Sequence, residues 1–89
     1  MSTHSTHPNV AKRLRRAHGH LTKVIDMIES GQPCLEVAQQ LQAVVNAISA
    51  AKTIHVQDHI EHCLVEALEA PAAKARARVN EFKEIAKYL

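Results

Sequence analysis

Between Pro33 and Pro71 the chain contains neither glycine nor proline, and no other feature restricts its fold so strongly. A stretch of that kind, filled with Leu, Val, Ile, Ala, Gln and Glu, predicts one helix from Pro33 to about Glu69. Its apolar residues Val37, Leu41, Val44, Ile48 and Ala51 recur in steps of four and three, and Val56, Ile60, Cys63 and Ala67 resume the pattern. At the helical rise per residue this rod would be roughly 55 Å long, too long for one element of a compact monomer. Its middle, Asn46 to Ala51, is rich in small residues, which lets another helix cross closely.

The flanks supply two shorter helices. One starts near Pro8 and Asn9 and carries Val10, Leu14, Ala17, Leu21, Val24 and Ile28 at helical period. Gly19 inside it weakens the helix by about 1 kcal/mol relative to Ala, which suggests a close backbone approach there. Gly31 ends this helix, and Pro33 suits the first turn of the next. Pro71 opens a third helix with the stripe Val79, Phe82, Ala86 and Leu89. Two Gly, three Pro and 2% aromatics do not suit the many turns of an all-β fold. The expected class is therefore all-α, a three-helix protomer with one long central helix. Residues 1–7 form an arm and 8–89 a single helical domain. So small a chain, with so thin an apolar filling, points to oligomerisation for further burial.

Charge is distributed unevenly. Lys12, Arg13, Arg15, Arg16 and Lys23 stand between Pro8 and Lys23 with no acid among them. The stretch from Cys34 to Ala70 holds five acids against Lys52 alone. Such asymmetry suits one face to a polyanion. No apolar run approaches the ~20 residues that span a bilayer, and the polar, His-rich start does not read as a signal peptide. A cytoplasmic chain would keep its two cysteines reduced, so metal or thiol chemistry is expected ahead of a disulfide.

His59 and Cys63 lie four positions apart, one above the other on a helical face, where imidazole and thiolate can share one metal ion. Such pairs also arise by chance. Cys34 adds to the pattern, because the first turn of a helix favours a thiolate. On one straight rod Cys34 and Cys63 would stand roughly 43 Å apart. They cannot meet within one chain unless that helix breaks, but they can meet if two central helices pack antiparallel about a two-fold axis near Ala47 and Ile48, which makes two equal intersubunit sites. A Cys-His-Cys set favours Cu(I), with Zn(II) and Ni(II) as alternatives. In the plainer reading, Cys34 is only a helix-start residue and Cys63 a small core residue. Asp58, Glu61 and His62 read as solvated surface, and His55 could extend the site.

Three segments together resemble the copper-sensitive operon repressor family (CsoR/RcnR). They are Arg13 to Leu21, Cys34 with Gln40-Leu41-Gln42-Ala43-Val44, and Asp58 to Cys63. The resemblance covers nearly the whole chain after the arm. It implies a dimer with intersubunit sites, pairing of dimers into a homotetramer, and operator DNA bound by the metal-free form. Cys34, His59 and Cys63 match the ligands of the copper-responsive branch. Glu81 aligns with a glutamate that supports the site from outside the ligand set, if two extra residues are allowed before the third helix. Two features depart from the pattern. Pro33 stands where copper sensors can carry a supporting Tyr, and a basic residue frequent in the middle of the family's central helix is missing, with Lys52 the only nearby candidate. The nickel and cobalt branch recruits a histidine near the N-terminus, for which His4, His7, His18 and His20 are candidates. Persulfide- and aldehyde-responsive branches usually lack one of the three residues.

The chain shows no helix-turn-helix, zinc-finger or RNA-binding signature, so DNA contact must come from charged helix faces. Lys12, Arg13, Arg16 and Lys23 lie off the apolar stripe, and Lys52 joins them as a candidate. A basic run is commonly just a solvated face; repetition in a tetramer and the family likeness favour the DNA reading. A small copper chaperone would use the same ligands without a basic stripe. No nucleophile–base–orienter arrangement that would make the chain an enzyme can be read.

Overall fold

The computed structural model describes residues 6–89, so positions 1–5 of the expected arm, with His4, lie outside the described residues. Three helices follow one another: α1 His7–Glu29, α2 Cys34–Glu69 and α3 Ala72–Ala86. The expected all-α architecture with a long central helix is present, and there are no strands among the described residues. No described helix is long and apolar enough to cross a membrane.

The punctuation works as backbone chemistry requires. Gly31 takes φ 73°, the left-handed conformation that costs glycine no Cβ clash. The Gly31 N–H donates to Ile28 O at 3.2 Å and the Gln32 N–H to Met27 O at 3.0 Å, the paired bonds of a Schellman stop. Pro33 stands just before α2, and its carbonyl accepts the Val37 N–H at 3.1 Å. Pro71 repeats this role for α3 as N-cap residue, its carbonyl accepting the Ala75 N–H at 2.9 Å. Proline restricts the residue before it to extended backbone, which ends α2.

The chain forms two compact units, one of His7–Lys52 and one built on Thr53–Leu89. In the first, α1 buries Val10, Ala17 and Val24 at heptad spacing, and α2 buries Val44 and Ala51 at the same spacing. Val24 is 1% exposed, and burial of such a side chain contributes about 1.5–3 kcal/mol. His20 Nε2 lies 2.7 Å from Gln40 Oε1, a polar tie between α1 and α2. The apolar stripe is therefore narrower than its periodicity implied. Leu14 and Ile28 on α1, and Leu41, Val45 and Ile48 on α2, are exposed. Among the described residues of the protomer no backbone comes close to Gly19, where an added Cβ would meet nothing within 4 Å on this exposed part of α1.

In the second unit α2 buries Val56 and Cys63, again seven apart, together with Asp58. No residue of α3 is fully buried. Its half-buried positions are Ala75, Arg78, Glu81, Phe82, Ile85 and Ala86, whereas Val79 and Leu89 of the expected stripe are exposed. The contact face is rotated because Arg78 and Glu81 find partners on α2, so charged residues share the face with Phe82 and Ile85.

Candidate metal centre

His59 and Cys63 project from successive turns of α2, as their spacing requires. Pro71 ends that helix, and α3 returns to bring Glu81 against them. Donor atoms of His59, Cys63 and Glu81 all lie within 4.8 Å of one another. Cys63 is buried at 3% exposure, while His59 and Glu81 are part-buried.

Glu81 Oε1 lies 2.8 Å from His59 Nε2. With Nε2–H donating to the carboxylate, Nδ1 keeps its lone pair for a metal, the usual way an outer carboxylate fixes the tautomer of a ligating histidine. Glu81 Oε2 pairs with Arg78 Nη1 at 2.7 Å, and Arg78 Nη1 stands 3.6 Å from Glu66 Oε2. Burial pushes the Cys63 thiol above its ordinary pKa; the Glu81 carboxylate adds to this, Arg78 opposes it and Glu66 reinforces it. Burial and the two carboxylates thus favour the protonated thiol. A bound cation would reverse that preference.

Cys34 is exposed at the first residue of α2, in the other unit, and is not among the residues gathered with His59 and Cys63. Asp58, expected on the solvated surface, is buried and stands 3.6 Å from His62 one turn on; Glu61 is exposed. Sequence reasoning passed over Arg78 and Glu66. The three-residue spacing of Arg78 and Glu81 was the available signal for the first of these; nothing local pointed to Glu66.

Lys12, Arg13, Arg16, Lys23 and Lys52 are all exposed. Arg13 and Arg16, with Ala17, His20 and Ala47, line an open recess of about 240 Å³ within the His7–Lys52 unit.

Known proteins resemble this chain over most of its length. The copper-sensing transcriptional repressor RicR of Mycobacterium tuberculosis is 32% identical over 73 residues, which cover 82% of this chain and 76% of RicR. The copper-sensing transcriptional repressor CsoR of Mycobacterium ulcerans is 32% identical over 76 residues, covering 85% of this chain but only 63% of its own length. Among solved structures, the nickel-responsive transcriptional regulator InrS matches with a TM-score of 0.81 and 26% identity, over 100% of this chain and 99% of InrS. The family described as metal-sensitive transcriptional repressor matches residues 6–88. With almost every described residue inside that match, this chain belongs to the metal-sensitive transcriptional repressors.

Proposed function

We propose that this protein is a copper-responsive repressor that acts in the cytoplasm as an assembly of antiparallel dimers, binding operator DNA when metal-free. Cu(I) is taken up at two equal sites per dimer, each made by Cys34 of one chain with His59 and Cys63 of another. The observation that carries this reading is the His59–Cys63 pair with Glu81 hydrogen-bonded to the imidazole. A buried sulfur and an imidazole nitrogen are soft to intermediate donors and suit Cu(I), and a second thiolate completes a three-coordinate set. The two copper-sensing relatives support the choice of metal. The exposed stripe Leu41, Val45 and Ile48 on α2 supports association, because an apolar row of that kind gains by burial against a second chain.

When occupied, the site joins the start of α2 in one chain to His59 and Cys63 in the other. Glu81 transmits the change to α3 through its bond to His59. Release of DNA requires only that the low-affinity DNA form binds metal more tightly, and a typical coupling of ~1–3 kcal/mol shifts operator affinity about 5- to 150-fold. Lys12, Arg13, Arg16, Lys23 and Lys52 form the DNA-contacting surface.

Chain mixing tests the site directly. Cys34→Ala chains and His59→Ala chains should each bind Cu(I) poorly at this site. A mixed dimer should recover one intact site, because the first chain supplies His59 and Cys63 and the second supplies Cys34. No recovery on mixing would refute an intersubunit site. A second reading, nickel response, is favoured by the fold match to InrS. It would recruit a histidine such as His7, His18 or His20 and predicts operator release by Ni(II) but not by Cu(I).

A further inference from the structure

Both oxygens of the Glu81 carboxylate are engaged. Oε1 faces His59 Nε2 at 2.8 Å and Oε2 faces Arg78 Nη1 at 2.7 Å. Arg78 Nη1 also stands 3.6 Å from Glu66 Oε2, so one guanidinium links α3 to the end of α2. Yet a Glu81 oxygen lies within 4.8 Å of donor atoms of both His59 and Cys63. A small rotation of this carboxylate would bring an oxygen to any ion those two residues hold. Carboxylate oxygen is a hard donor, suited to divalent ions, whereas thiolate with imidazole suits Cu(I).

We propose that Arg78 sets the metal preference of the site by holding Glu81 outside the ligand set, so that the carboxylate serves as hydrogen-bond acceptor for His59 and not as a ligand. The inference rests on the reading that His59 and Cys63 are ligands. Arginine suits the task because its rigid planar fork fixes the direction as well as the distance of a bound oxygen. Arg78 acts here through its pair with Glu81, as a positioning residue. Its side chain is 38% exposed, so the pair contributes little to folding and its removal should leave the fold intact.

The test is a set of competition titrations of the full chain with Cu(I), Zn(II) and Co(II), with helicity and melting temperature as fold controls. Arg78→Gln should bind Zn(II) and Co(II) about ten- to a hundredfold more tightly relative to Cu(I) than the parent does, the range typical of changes just outside a metal's ligands. Its Co(II) complex should show altered d–d absorption as an oxygen enters. Arg78→Lys, which keeps a cationic donor in place, should restore most of the parent preference. Adding Glu81→Gln to Arg78→Gln should remove the gain. An unchanged preference in Arg78→Gln would overturn the proposal, as would a gain that survives Glu81→Gln, because net charge alone would then explain it.

One arm does not depend on any Arg78 variant folding. Glu81→Gln alone should leave the parent's Co(II) bands without loss of an oxygen ligand; such a loss would mean that Glu81 already coordinates, and would also overturn the proposal. If Cu(I) affinity is indifferent to His59→Ala and Cys63→Ala, the underlying site reading fails. If it depends on both while Arg78→Gln changes nothing, only the role of Arg78 fails.

Discussion

Glu81 accepts a hydrogen bond from His59 at 2.8 Å, and the two residues lie on different helices, 22 positions apart in sequence. This one contact connects a candidate ligand on α2 to α3. A change in the electron demand of the imidazole therefore has a direct route to a second helix. Glu81→Ala should retain much of the Cu(I) affinity of the parent yet release operator DNA less completely. Fluorescence anisotropy of labelled operator at saturating Cu(I) measures this; release equal to that of the parent would remove Glu81 from the route.

The ligands themselves should behave differently. Cys34→Ala, His59→Ala and Cys63→Ala should each bind operator with near-parental affinity but lose most of the Cu(I)-induced release. Loss of DNA binding in Cys34→Ala, with a normal circular dichroism spectrum, would argue against a ligand role for that residue.

On the basic face, Arg13→Ala and Arg16→Ala should weaken operator binding and leave Cu(I) affinity nearly intact. Both side chains are exposed and border the recess between α1 and α2. Each lost phosphate contact should also flatten the dependence of log affinity on log salt by about 0.9. Binding isotherms at several salt concentrations would show this, and parental slopes in both variants would move the DNA surface elsewhere.

The Cys63 thiol gives a pH dependence of definite sign. Burial, reinforced by Glu81 and Glu66 and opposed by Arg78, raises its folded-state pKa. The folded chain then holds the proton more tightly than the unfolded chain does. The resulting stability is fully present below the unfolded thiol pKa of about 8.5 and is lost as pH rises from there through the folded value. Thermal melts of the metal-free, reduced protein should therefore show a falling Tm above that pH, and Cys63→Ala should flatten the fall. Metal uptake displaces the same proton, so Cu(I) affinity should rise with pH, by up to about tenfold per unit for each thiol still protonated.

The helices and the His59–Cys63 pair are legible in the sequence because they depend on local rules. Helical period repeats every few residues, Gly31 and Pro71 interrupt it through their own backbone chemistry, and four positions along a helix always share a face. The site's outer half is a tertiary matter. Local spacing could relate Arg78 to Glu81, but not Glu81 to His59 or Arg78 to Glu66, since those contacts depend on how α3 returns along α2. Asp58 illustrates the same limit: as a charged residue it reads as solvated, yet it is buried, with His62 one turn away. The apolar stripe shows the converse. Val37, Leu41 and Ile48 look alike in the pattern, but which rows become core depends on where neighbouring helices lie, and Leu41 and Ile48 remain exposed in the protomer. Periodicity is written residue by residue along one helix, whereas burial and ion pairing belong to pairs of helices, which is why only the tertiary structure decided them.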